Sequence, residues 1–369
     1  MTTLRLIADD LTGALDTAAE FVGLTGPVPV YWSGAIPADL PPSAALDSGT
    51  RELGREQAIA ATAQLAKGLV GADIAYKKID SLLRGHTMAE LAACLQGGAF
   101  PFCVVAPAFP YQGRVTRCGV QFRRTSDQDW SPVADLCALL VEAGLPAARG
   151  DPHGRLAPGI TVFDAETDDD LRRVAEIGCE ADGPVLWCGS AGLAQALASK
   201  GAAPSAAALK RPVLGLFGSD QAVTAGQLAA CGPHHIKLAD GGPRSAAALG
   251  ERLDQTGVAL TSLDLPLGLT RHEAAHRIGR ELGRLTQQLP SPGTLIVAGG
   301  ETLRALCIAL GAMALEAHGQ IEPGLPHSKL SGGRWDGVEV VSKSGAFGGP
   351  SLWRDLLNLD FTTSERAEA

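Results

Sequence analysis

Aromatic residues are scarce, at 5% of the 369-residue chain, and positive charge is in deficit: 31 lysines and arginines face 40 aspartates and glutamates, a formal net charge of −9. Neither a nucleic-acid nor a membrane partner is expected, because neutralising phosphates takes a basic face. An anionic ligand has to be met by a local basic pocket. The eight cysteines, at 94, 103, 118, 137, 179, 188, 231 and 307, form no CxxC pair and no framework of spacings. This argues against a disulfide scaffold and fits reduced, mostly buried thiols in a cytoplasmic protein. No apolar run is long enough to span a bilayer, and the opening MTTLRLIADD lacks the basic and long apolar regions of a secretory leader, so none is expected. Two nucleotide fingerprints are also missing, since neither GxxxxGK(S/T) nor GxGxxG occurs. A P-loop ATPase and a nicotinamide-dependent dehydrogenase lose their usual support.

What is present is apolar material, 46% of residues against 19% charged. That suffices for two cores, and the length suits two domains. We expect an α/β fold in which each domain is a largely parallel sheet flanked by helices. The first domain covers 1–200, an Ala- and Pro-rich linker covers 201–212, the second domain covers 213–358, and 359–369 is a tail.

One unit recurs along the chain: an apolar run of strand length, a polar or glycine corner, then apolar residues at helical spacing. Leu4 to Ala8 leads into Asp9 and Asp10, with Asp10 near an N-cap position. Two adjacent carboxylates, with Asp16 close behind, cost stability unless a hydroxyl-rich ligand or a metal ion repays them. Ile74, Tyr76 and Ile79 lead into Lys77, Lys78, Asp80, Ser81, Arg84 and His86, placed beyond a strand's carboxyl end where open α/β sheets bind ligands. The alternative reading is a set of solvated charges and a simple cap. Residues 47–58 are expected to open a helix with Arg51 near its start, where a guanidinium suits a carboxylate. Residues 121–132 read as irregular, 133–145 as helical, and 183–198 as another strand, glycine-serine turn and helix. In the second domain Val213–Phe217 meets Gly218 and Ser219, Thr294–Ala298 meets Gly299, Gly300, Glu301 and Thr302, and Val338–Val341 meets SKSGAFGG, with Lys343, Gly345 and Gly348. Small residues at such corners let backbone N–H groups approach a phosphate, and Lys343 among them is placed to reach one.

His272, Glu273 and His276 spell HExxH, a zinc-protease motif. The helix's apolar face is Ala275, Ile278, Leu282, Leu285 and Leu289, and His276 points away from it. A catalytic zinc helix buries its histidines with a third ligand in reach, so the motif is dismissed as accidental.

The stretches IADDLTGALDTAAEF, YKKIDSLLRGH, PAFPYQGRVT with Gly119, GSAGLAQAL, GSDQAVTAGQ, VAGGETLRAL and VSKSGAFGG together resemble the four-carbon acid sugar kinases along nearly the whole chain. The resemblance implies an N-terminal domain that binds a sugar acid, a C-terminal domain that binds ATP, an active site in the interdomain cleft, and phosphorylation of the terminal hydroxyl of threonate, erythronate or 3-oxo-tetronate. It carries substrate roles onto Asp9, Asp10, Arg51, Asp80, Ser81 and Arg84. Nucleotide roles fall on Ser219, Gly299 to Thr302 and the glycines around Lys343. Two stretches depart from the family pattern: Asp220 and Gln221 after Ser219, and the loop after Gly119.

Chemistry and resemblance combine into one expectation. Arg84, with Arg51 or one of Lys77 and Lys78, holds the carboxylate; Asp9, Asp10 and Asp80 hold hydroxyls, with Asp10 the first choice of proton acceptor. The Gly299–Thr302 corner and Lys343 hold the phosphates of ATP, bridged by Mg²⁺ whose protein ligands are unassigned. The rival from another class is a sugar-acid binding protein with a degenerate nucleotide site. The sequence leaves open which tetronate is used and whether the protein is a homo-oligomer.

Overall fold

The computed structural model describes residues 2–359 except 33, 35, 97, 127, 200–208 and 267. The chain divides into two compact units, Met1–Pro204 with Ala317–Gly319, and Ser205–Glu316 with Gln320–Ala369. Residues 201–208 of the expected linker and 360–369 of the expected tail lie outside the described residues.

In the first unit the strands are β1 (Leu4–Ala8), β2 (Val28–Trp32), β3 (Ala44–Asp47), β4 (Ile74–Lys78), β5 (Phe102–Ala106), β6 (Arg114–Arg117), β7 (Val120–Arg124), β8 (Trp130–Asp135), β9 (Ala147–Arg149), β10 (Gly159–Val162) and β11 (Val185–Gly189). The helices are α1 (Leu11–Thr25), α2 (Arg55–Ala66), α3 (Thr87–Leu95), α4 (Leu136–Glu142), α5 (Asp168–Cys179) and α6 (Ala191–Ala198). Eight strands pair in the order β2-β3-β1-β4-β11-β5-β10-β9, every pair parallel. Runs such as Phe102–Ala106 are buried at every residue, as a sheet covered on both faces requires. The chain places β3 and β2 on one side of β1 and β4 on the other, so the strand order reverses at β1. That is where an open α/β sheet leaves a crevice at its carboxyl edge.

The small antiparallel sheet β6-β7-β8 was not expected. It takes in most of 121–132, and with it 133–135 becomes strand and α4 shrinks to seven residues. Its ladder uses polar side chains: Thr116 pairs with Gln121, and Arg117 and Arg124 lie over the Trp130 ring at 4.8 and 5.0 Å. This alternation of polar groups hides the strand period.

The second unit holds β12 (Val213–Phe217), α7 (Ala222–Ala229), β13 (His235–Leu238), α8 (Pro243–Thr256), β14 (Val258–Leu263), α9 (Arg271–Gln288), β15 (Thr294–Ala298), α10 (Gly300–Leu310), β16 (Ala314–Glu322, apart from its residues Ala317–Gly319, which group with the first unit), β17 (Leu325–Ser331), β18 (Glu339–Lys343) and α11 (Leu352–Leu356). Strands run β13-β14-β12-β15-β18-β17-β16, parallel from β13 to β18 and antiparallel between β18 and β17. Phe217, Leu228, Leu260, Ile296, Val341, Phe347 and Trp353 share one core. On α9, Glu273 closes a capping box with Thr270, while His272 and His276 are exposed. Among the described residues no group of three or more His, Cys, Asp or Glu side chains is placed to hold a metal ion.

Candidate active site

Three adjacent strands of the first unit, β3, β1 and β4, deliver charged residues to one edge. Asp10 caps α1, its Oδ1 accepting from Gly13 N at 3.0 Å and its Oδ2 from Thr12 Oγ1 at 2.7 Å. Arg51 lies in the loop after β3 and not in a helix; α2 begins only at Arg55. Its guanidinium grips Asp9 with Nε and Nη2, both at 2.8 Å, reaches Asp10 Oδ2 with Nη1 at 2.7 Å, and stands 3.8 Å from Asp80 Oδ1. One half-buried cation thus gathers three aspartates. Burial pushes the Asp9 carboxyl up, but Arg51 overrides this and holds it below the usual carboxylate range. Asp80 is lowered in the same way against its burial, chiefly by Arg84, which binds it with Nε at 2.9 Å and Nη2 at 2.7 Å. The 80–84 loop wraps its own carboxylate: Leu82 N donates to Asp80 Oδ2 at 3.1 Å, and Leu83 adopts φ 57°, a conformation a bulky residue accepts only under constraint. Gly85 takes φ 81°, a conformation that favours glycine, and a Cβ there would press within 3.3 Å of Asp9 Oδ2.

Lys77 and Lys78 are the last two residues of β4 and are buried, where the sequence placed them beyond the strand. Lys77 Nζ pairs with Glu90 Oε2 at 2.7 Å, and Glu90 Oε1 accepts from Thr50 Oγ1 at 2.7 Å. Burial works against the Lys77 charge, but Glu90 more than offsets it and the pKa is raised. This buried pair anchors Thr50, the residue before Arg51. Lys78 has no such carboxylate; its Nζ donates to the Ile79 carbonyl at 3.1 Å. A Cβ on Gly13 would come within 3.2 Å of that Nζ, so α1 approaches Lys78 closely because residue 13 is glycine. One turn along α1, Asp16 has a buried Oδ1 without a hydrogen-bond partner, and burial pushes its pKa up to about 6.

The second unit brings three glycine corners side by side. Phe217, Ala298 and Lys343 end β12, β15 and β18 in register, so the segments that follow them are neighbours. A Cβ on Gly218 would fall on Thr302 Oγ1, and one on Gly345 would fall on Ser219 Oγ. Gly299 takes φ 105° and offers α10 no side-chain cap, leaving the helix's first N–H groups open at Gly300, Glu301 and Thr302. Lys343 Nζ turns inward, donating at 3.2 Å to each of Thr224 Oγ1, Ser344 O and Gly345 O. It is 1% exposed and burial lowers its pKa to about 8. Thr224 Oγ1 also donates to Gly345 O, and Gln227 Nε2 donates to Phe347 O and Gly349 O. Side chains thus hold the carbonyls of Ser344, Gly345, Phe347 and Gly349, while Phe347 N closes a turn on Ser344 O at 3.2 Å.

A family model described as a sugar-binding N-terminal domain matches residues 4–136 and 126–197, and one described as a nucleotide-binding C-terminal domain matches 224–352. A D-threonate kinase of Cupriavidus necator is 34% identical over 94% of this chain and 96% of its own. A D-threonate kinase of Bordetella bronchiseptica is 30% identical over 94% of each chain. The chain belongs to the four-carbon acid sugar kinases. It is a phosphotransferase acting on an alcohol group. More distant relatives are named D-erythronate kinase and 3-oxo-tetronate kinase. A crystal structure from Salmonella typhimurium LT2 covers 98% of the chain and 100% of its own with a TM-score of 0.75; at 22% identity it shows the fold alone.

Within this kinase the expected substrate residues Asp9, Asp10, Arg51, Lys78, Asp80, Ser81 and Arg84 converge at the carboxyl edge of β3, β1 and β4, Ser81 through its carbonyl, which accepts from Gln121 Nε2 at 2.9 Å. The expected nucleotide residues Ser219, Gly299, Gly300, Glu301, Thr302, Gly345 and Gly348 likewise fall on the three corners of the second unit, while the Lys343 ammonium is sealed beneath its loop. Glu90, Thr50, Thr224, Gln227 and Gln121 support these loops and went unnoticed, because each is an ordinary polar residue far in sequence from the group it holds. The five buried thiols Cys94, Cys103, Cys188, Cys231 and Cys307 all have pKa values raised by burial, and none of the eight cysteines is in a disulfide. No described helix is long and apolar enough to cross a membrane.

Proposed function

We propose that the kinase transfers the γ-phosphoryl group of ATP, with Mg²⁺, to the terminal hydroxyl of a four-carbon sugar acid in the cytoplasm, with D-threonate the first acceptor to test. The observation that carries this reading is the pairing of a charged cluster suited to a hydroxylated anion with a separate glycine-lined cradle suited to a phosphate chain. Two relatives named D-threonate kinase, 34% and 30% identical over most of the chain, support the choice of acceptor.

Both proposed ligands fit the residues present. A Cβ at 218 or 345 would fill the cradle, as expected where backbone has to meet phosphate. Among the described residues no group of three or more metal-ligating side chains is placed to hold an ion, so no protein ligand is assigned to Mg²⁺. ATP with Mg²⁺ would supply the phosphoryl group and part of the charge neutralisation. The protein's own part is positioning, which phosphoryl transfer chiefly requires. In our reading the α10 N–H groups and Ser219 bind phosphate oxygens, and Lys343 fixes the loop that carries Gly345 and Gly348. Arg51 fixes Asp9, Asp10 and Asp80 so that their carboxylates accept from substrate hydroxyls in one geometry. Asp10 is the proton acceptor; the hydroxyl has to enter an oxygen shell already shared with Arg51 and Thr12, so this carboxylate orients first and takes the proton late. Lys78 and Arg84 add positive charge beside the acceptor.

The test is ADP release from ATP and Mg²⁺ across D- and L-threonate, D- and L-erythronate and 3-oxo-tetronates, with each product identified by mass. Turnover on D-threonate above the others is expected. ATP binding without turnover on any of them would sink the acceptor assignment, and no ATP binding at all would sink the donor assignment.

A further inference from the structure

We infer that Arg114 is the carboxylate clamp of the sugar-acid site, a further specificity-determining residue; this rests on the sugar-acid reading above. The guanidiniums first assigned to the substrate carboxylate are already committed. Arg51 is bound to Asp9 and Asp10, and Arg84 is bound through two nitrogens to Asp80. A carboxylate arriving beside three aspartates needs a cation they have not neutralised, and a guanidinium matches its two oxygens.

Arg114 opens β6, and side chains two apart on a strand share a face. It therefore lies on the face of Thr116, whose Oγ1 donates to Gln121 Oε1 at 2.7 Å. Gln121 Nε2 in turn donates to the Ser81 carbonyl at 2.9 Å, so this face of the small sheet is turned to the Asp80–Arg84 loop. The charged groups that face Arg114 are Asp80, Arg84 and Arg123. Asp80 is taken by Arg84, and Arg123 stands directly across the β6–β7 ladder from Arg114. Like charges in that position repel, and an anion between them would relieve the repulsion. Among the described residues Arg114 makes no ion pair. It donates to the Gln112 carbonyl, and its Nε is buried without a partner. A half-buried guanidinium with an orphaned N–H, beside a second arginine and facing the substrate loop, is built for a carboxylate.

The experiment measures kcat/KM for D-threonate and for threitol, which replaces the carboxylate by CH₂OH, in wild type, Arg114→Lys and Arg114→Gln, with threitol read as turnover or as competitive inhibition. If another acid proves to be the acceptor, that acid is compared with its own alcohol. For Arg114→Gln we expect the acid's kcat/KM to fall about 10- to 100-fold, mostly through KM, while the alcohol and the KM for ATP stay unchanged. Arg114→Lys should fall between, because an ammonium cannot bind both oxygens in one plane. An unchanged KM for the acid, or equal losses for acid and alcohol with a lowered Tm, would overturn the clamp. Wild type inactive on every four-carbon acid would sink the proposed reaction and the clamp with it.

Discussion

At the edge formed by β3, β1 and β4 the groups available to a ligand are ionised side chains, whereas at β12, β15 and β18 they are mostly backbone. Both edges follow from parallel strands ending in register, yet the chemistry placed on them is opposite. Asp9 and Asp80 keep their charges because Arg51 and Arg84 lie against them, and Asp10 is paired with Arg51 as well, so the first site can read hydroxyls only by sharing oxygens already in use. Among the described residues the second has no ion pair at its corners: its lysine is buried, and glycine takes the places where a side chain would block the backbone. A ligand with a fixed pattern of hydroxyls calls for side chains in fixed places. A phosphate chain calls for many donors at close approach.

Substitutions can break this contrast. The largest effect is expected at Arg51. Replacing it with Met takes the ion-pair partner from Asp9 and Asp10 and a nearby charge from Asp80, and losing one partner of such a network costs about 3–5 kcal/mol. Calorimetry should show a markedly lower Tm, and turnover should be lost. A Tm unchanged in Arg51→Met would mean that the aspartates do not depend on it. Next comes Gly218→Ala, whose Cβ meets Thr302 and comes within 2.6 Å of Ile278 Cγ2. Overpacking of this kind costs about 1–3 kcal/mol. Titration calorimetry should show nucleotide affinity falling at least about tenfold with sugar-acid affinity intact; equal losses for both ligands would erase the distinction between the sites.

The remaining effects concern pH. Lys343 is charged in both folded and unfolded chains below about pH 8, so its burial penalty is then fully present. Between about 8 and 10.5 the folded chain sheds a proton that the unfolded chain keeps, and stability should rise with pH by at most about 3 kcal/mol. Lys343→Met should lack this rise. Asp16 behaves in the opposite sense. Its raised pKa favours the folded state below 3.8, and that contribution is lost as pH climbs through about 6, so Asp16→Asn should flatten the curve across that window. Denaturant midpoints of wild type and both variants across pH 3.5 to 10.5 would check the pair, and parallel curves would refute both assignments.

Most corners were legible in the sequence because an apolar run, a special residue and a helical period follow one another within a dozen positions. Asp10 announced itself as a cap, and Gly299 as a break. Pairing was not legible. Arg51 meets Asp9 across 42 residues, and Glu90 meets Thr50 across 40, distances over which no local spacing carries information. Lys77 was expected beyond the strand as one choice for the substrate carboxylate; it lies instead within β4, paired with Glu90. The sheet β6-β7-β8 was missed because its side chains pair by hydrogen bonds and stacking on Trp130 rather than by apolar alternation.

The inward-turned Lys343, with Thr224 and Gln227, also bears on how fast and how tightly a ligand can be taken up at the 344–349 loop. Four of its carbonyls are fastened by side chains that face the core. Such a loop has little conformational freedom left to surrender when an anion arrives. Its association should resemble docking to a rigid template, with a small entropic penalty and a rate set by encounter rather than by loop ordering.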